Sequence, residues 1–141
     1  MTIKDIQNEI IDEFSMFDDW MQRYEYIIEL GKSLPLIKEE YKTDENLIKG
    51  CQSKVWLQGE QNDDKIVFTA DSDAILTKGI IAILIRAFSN QKASDIINAD
   101  TEFIDEIGLK EHLSATRANG LVSMIKNIKM YALAFDAKNK N

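Results

Sequence analysis

Residues 54–88 read KVWLQGEQNDDKIVFTADSDAILTKGIIAILIRAF, and the change of pattern within this stretch decides the fold. KVWLQGEQ (54–61) and KIVFTADS (65–72) are two runs rich in β-formers on either side of the polar Asn62-Asp63-Asp64, the signature of a hairpin. The apolar residues that follow have no period of two. AILTKGIIAILIRAF (74–88) is apolar on nearly every side of a helix, so it needs cover from several neighbours and belongs at the centre of the core. Ser72 and Asp73 are its candidate caps.

Working outward, Ile3, Ile6, Ile10, Ile11 and Phe14 recur at three-and-four spacing and predict a helix over 2–14, with Thr2 as N-cap and Asp5 three residues on. Asp18 and Asp19 favour the start of a second helix, whose Trp20, Tyr24, Ile27 and Ile28 mark one face as far as Gly31, and Pro35 confirms the stop. Residues 34–53 have no clear period and predict an irregular segment with one short helical turn. Residues 94–113 predict one or two short helices broken near Ala99-Asp100 and Gly108, with Ser94 and Thr101 as caps. A long helix over 114–135 follows, striped by Leu121, Met124, Ile125, Ile128, Ala132 and Phe135, and then a polar tail, 136–141. Helices on both sides of a hairpin, with no βαβ alternation, give an α+β fold: a small antiparallel sheet, with room for a third strand that cannot be placed, forming one domain over 1–135.

The chain has 141 residues, 45% of them hydrophobic and 29% charged, the composition of a globular protein. A net charge of −7 repels phosphate backbones, so nucleic acid is not expected as a partner. The acid-studded N-terminus does not read as an export signal, and GIIAILI (79–85) is far short of a membrane span, so the expectation is a cytoplasmic protein without membrane contact.

Against that background one residue stands apart. Cys51, in KGCQSKVW (49–56), is the only cysteine. It is either a small buried hydrophobe or a reactive thiol. Its place in a loop leading into a strand, after Gly50 and before Gln52 and Ser53, leaves it able to reach a partner. Activation of a thiol needs positive charge nearby; Lys49 and Lys54 flank it, and Arg117 is the better candidate if folding brings it close. Cys51 and His112 are too few for a metal site, and no phosphate-binding glycine loop is present, so neither metal nor cofactor is expected. His112 is also the one base available to a Cys–His hydrolase, and its place in GLKEHLSA reads more simply as a helix-end histidine. Asp71 and Asp73 are either turn and cap residues or the border of a site.

Four collinear stretches then carry a resemblance. DDWMQRYEYIIELGKSLP (18–35), ENLIKGCQSKVWL (45–57), ADSDAILTKGIIAIL (70–84) and SATRANGLVSMIKNI (114–128) resemble the characteristic blocks of the SufE-like sulfur acceptors of iron–sulfur cluster assembly, and the likeness runs over about 14–135. The resemblance implies an α+β sandwich related to NifU/IscU scaffolds. It also implies a protein that takes persulfide sulfur from a SufS-like, pyridoxal-phosphate-dependent cysteine desulfurase, stimulates that enzyme, and passes sulfur to a SufB-like scaffold. Cys51 falls at the persulfide position, Gly50, Gln52 and Ser53 in its loop, and Asp71, Asp73, Arg117, Asn119 and Gly120 in the blocks around that loop. Such a chain is a sulfurtransferase-type carrier rather than a stand-alone enzyme, and the sequence leaves room for a homodimer. The competing reading is a desulfurase-binding activator in which Cys51 is dispensable.

Overall fold

In a computed structural model, residues 1–140 are described, and they fold as a sheet covered by helices. Helices α1 (Ile3–Ser15) and α2 (Trp20–Gly31) come first, followed by two 3-10 turns, Glu39–Tyr41 and Asp44–Asn46. Strands β1 (Val55–Asn62) and β2 (Lys65–Ser72) lead into α3 (Ile75–Phe88), and a two-residue strand β3 (Gln91–Lys92) precedes α4 (Ala93–Asn98). Helices α5 (Glu102–Glu106), α6 (Leu109–His112) and α7 (Ala115–Asn139) complete the chain. The class is α+β, as the sequence predicts.

The hairpin pairs Val55 with Ser72 through Asn62 with Lys65, and its turn needs Asp63 at φ +58°, a conformation that aspartate tolerates better than most residues. Alternation along the strands sends Val55, Leu57, Ile66, Phe68 and Ala70 to one buried face. The third strand joins as β1-β2-β3, antiparallel, through only two residue pairs. Further along the far edge of β2, Leu36 forms an isolated parallel bridge with Ala70.

Ten of the fourteen residues of α3 are buried, which makes it the central helix. Its tightest neighbour is α2: a Cβ on Gly79 would stand 2.1 Å from the Ile27 carbonyl oxygen, and one on Gly31 would stand 3.0 Å from the Gly79 nitrogen. Only glycine allows so close a crossing. Across the other side of α2, Arg86 of α3 bonds Glu13 and Glu9 of α1, while the Tyr26 hydroxyl donates to Glu13, so three helices meet at one carboxylate. Helix α7 lies against the sheet and α4; its Tyr131 meets Phe68 edge-on at 5.9 Å, and its Lys129 ammonium donates to the Ile96, Ile97 and Ala99 carbonyls at the end of α4.

Several predicted boundaries shift. Thr2 forms the full capping box with Asp5. Ser72 and Asp73 do not cap α3, whose N-cap is Ala74 with no side-chain bond; they are drawn instead to the start of β1, Ser72 Oγ donating to the Lys54 carbonyl at 2.8 Å and Asp73 Oδ1 accepting from the Lys54 N–H at 3.0 Å. Ser94 lies inside α4, because that helix starts one residue earlier, and Thr101 flanks α5 without a side-chain bond. Helix α7 continues four residues past Phe135 to Asn139, held by an Asp136–Lys140 ion pair at 3.0 Å and by Gln61 of β1 donating to Asn139. No helix of residues 1–140 is long and apolar enough to cross a membrane.

Candidate functional site

The loop that carries Cys51 leaves the second 3-10 turn, is anchored by the Ile48 N–H on the Val55 carbonyl at 2.8 Å, and re-enters the sheet at Val55. Between those points it crosses α7 where that helix has almost no side chain. Gly50 takes φ +93°, a region that L residues avoid, and a Cβ there would meet Ser123 Oγ at 2.6 Å. Cys51 then faces Gly120: a Cβ on Gly120 would stand 3.3 Å from Sγ. These contacts let the loop lie flat on the helix and place the sulfur against its backbone.

The thiol is half-buried, and Sγ donates to the Gly120 carbonyl oxygen at 3.6 Å. Its cavity is walled by Gln52 and Ser53 of the loop, Thr77 and Ile80 of α3, and Thr116, Arg117, Gly120 and Met124 of α7. The cavity is small, about 10 Å³, close to the least that holds one water-sized body. Removal from water favours the neutral thiol and pushes the Cys51 pKa up. At rest the site holds a protonated, weakly nucleophilic sulfur.

The structure brings together some of the predicted site residues and separates others. Gln52, Ser53, Arg117 and Gly120 line the thiol cavity, and Gly50 shapes the loop. Asn119 is exposed on α7 outside the cavity wall. Asp73 ties Lys54, the residue after the loop. Asp71 turns away to an ion-pair cluster, 2.7 Å from Lys42 Nζ and 3.3 Å from Lys78 Nζ; burial acts to raise its pKa, but those two ammonium groups and the Ser72 N–H outweigh it and hold the carboxyl below its ordinary value. Neither Lys49 nor Lys54 lines the cavity. His112 sits on α6, where its ring stacks on Trp20 at 3.7 Å and Nδ1 lies 3.0 Å from the Gly108 carbonyl oxygen. It does not line the thiol cavity either, so the arrangement offers no Cys–His pair.

Thr77, Ile80, Thr116, Ser123 and Met124 are site residues that sequence reasoning missed. Their spacing was readable: 116, 120 and 124 fall on one helical face, as do 77 and 80, but nothing in that spacing says which loop the face meets.

Comparison with known proteins adds the family. Residues 8–132 match SufE, the Fe-S metabolism associated domain. The chain belongs to the SufE family. An uncharacterised SufE-like protein of Rhizobium meliloti (strain 1021) is 45% identical over 130 residues, covering 89% of this chain and 93% of the relative. One of Rhizobium etli is 45% identical over 127 residues, covering 86% of each. The fold is similar to the solution structure of a hypothetical protein from Thermus thermophilus, with a TM-score of 0.76 at 13% identity over 92% of this chain and 94% of that one. Membership of the SufE family places the protein in Fe–S metabolism.

Proposed function

We propose that the protein is a sulfur carrier: Cys51 accepts sulfane sulfur from a pyridoxal-phosphate-dependent, SufS-like cysteine desulfurase and delivers it to an iron–sulfur scaffold of SufB type, in the cytoplasm. In the accepting step the Cys51 thiolate attacks the outer sulfur of the donor's persulfide. A new S–S bond forms on Cys51, the old one breaks, and the donor cysteine leaves as thiolate with the pair of electrons from the broken bond. The exchange is redox-neutral overall, since the oxidised sulfur simply changes owner, and it needs no cofactor on this chain. The reverse logic hands the sulfur on.

The observation that carries the reading is the seat of the thiol, a cavity closed on one side by a glycine of α7 and with room for about one atom-sized guest. A persulfide is easily reduced, so a carrier gains from such a shelter between partners. The raised pKa adds a second step: to become nucleophilic the sulfur has to leave the cavity, so docking, which draws the 48–53 loop outward, also switches the thiol on. Gly50 fits that movement, because the loop turns about a residue free in φ.

Intact mass spectrometry after incubation with a cysteine desulfurase and cysteine is the test. One added sulfur on the wild-type chain and none on Cys51→Ser is the expected result; uptake that survives the substitution overturns it. If Cys51→Ser still stimulates alanine release fully, the protein is instead an activator that works by binding alone.

A further inference from the structure

Beside the thiol cavity lies a second recess, of about 330 Å³, and Arg117 belongs to the walls of both. Tyr24 and Ile28, one turn apart on α2, line it together with Leu76 of α3, His112, Leu113 and Arg117. The apolar surface does not stop at the recess. Met21 shares the α2 face of Tyr24 and Ile28 and is 68% exposed, and Ile75, next to Leu76, is also 68% exposed. A ligand confined to the recess would leave both of these in water, whereas a protein surface covers them.

The charges narrow the partner. On a chain of net charge −7, no acidic residue lines this recess, and among residues 1–140 the Arg117 guanidinium has no carboxylate within ion-pair distance. His112 is held rigid, its ring stacked on Trp20 and its Nδ1 directed to the Gly108 carbonyl, which leaves Nε2 turned to other partners. The site therefore suits a segment that presents an apolar side chain to the recess and a carboxylate to Arg117.

We infer that this face, Met21–Tyr24–Ile28 with Ile75–Leu76 and Arg117, is where the sulfur donor docks, through an apolar side chain followed by an acidic one. The inference rests on the reading of Cys51 as a carrier, and it explains how a donor finds a half-buried thiol: the recess and the thiol cavity share Arg117, so a segment seated in the first bears on the wall of the second.

The test is a calorimetric titration of the protein with a pyridoxal-phosphate cysteine desulfurase, using Met21→Glu and Ile75→Glu, whose exposure spares the fold, and Met130→Glu on the exposed side of α7 as control. In parallel, Cys51 is loaded with inorganic polysulfide, where the thiolate takes one terminal sulfur and the shortened polysulfide leaves as the anion, with no docking required. Binding weakened at least tenfold by Met21→Glu and by Ile75→Glu, unchanged within twofold in Met130→Glu, and equal polysulfide loading in all of them is the expected result. Wild-type-like binding of Met21→Glu and Ile75→Glu, equal weakening by the control, or no binding of the wild type overturns the docking face. Failure of the carrier reading looks different: no sulfur reaches Cys51 from either donor, while the titration still reports which face binds.

Discussion

Gly120 is the residue where the fold and the chemistry can be separated by one methyl group. In Gly120→Ala the new Cβ starts 3.3 Å from Cys51 Sγ and 3.7 Å from its Cα, so the helix backbone has room and the sulfur does not. On the helix the substitution gains about 0.8–1.0 kcal/mol of propensity. At the thiol, a side chain forced off its preferred rotamer loses about 0.5–1.5 kcal/mol, together with the weak S–H bond to the carbonyl. The two roughly cancel in global stability, so Tm should move by less than about 4 °C. They do not cancel locally, because the tucked thiol alone bears the loss; about 1 kcal/mol raises the exposed population roughly fivefold. Alkylation by excess iodoacetamide at neutral pH should speed up by that factor. Labelling that is unchanged or slower, or a Tm that falls by much more, would show that the helix rather than the sulfur yields, and the account of the cavity would be wrong.

Other outcomes follow from the same structure. Burial raises the Cys51 pKa, so the unfolded thiol ionises near its ordinary value of about 8.5 while the folded one stays protonated; urea melts should show wild-type stability falling above that pH, and Cys51→Ala should lack this part of the fall. Glu13 is held below its ordinary pKa chiefly by Arg86, so Glu13→Gln should cost about 1–2 kcal/mol at pH 7, an advantage of the wild type that is lost on acidification below the ordinary glutamate range, as the folded protein's Glu13 takes up its proton. Gly79→Ala places a Cβ 2.1 Å from the Ile27 carbonyl, a backbone atom, so α2 and α3 must part by about 1 Å; overpacking of about 3 kcal/mol exceeds the helix gain of about 1, and thermal melts should show Tm lower by roughly 8 °C.

The fold was legible where the pattern was long. The hairpin showed through its β-rich runs and polar turn, and α3 through an apolar surface on nearly every side, because both signals come from the chain's own covalent order. Strand β3 was not, since two residues have no period and Gln91 and Lys92 are strand only because β2 offers an edge. The caps expected for α3 failed for a related reason: Ser72 and Asp73 have the right chemistry for it, but the hairpin register delivers Lys54 to them first. At the site, the lone thiol was visible and its setting was not. Asp71 and Asp73 are two apart and look like a pair, yet one serves Lys42 and Lys78 and the other the backbone of Lys54. The walls at Thr77, Thr116 and Met124 come from helices whose docking depends on the glycine crossing of α2 with α3 and on the packing of α7 across the sheet.

The separation of 69 residues between Cys51 and Gly120 has a consequence in time as well as in space. The ribosome makes the cysteine first and its cover last, and at about 5–20 residues per second the interval is roughly 3–14 s. Each newly made chain therefore presents a bare thiol to oxidants before α7 exists to shield it, and a chain that stops short of Gly120 never acquires the shield at all.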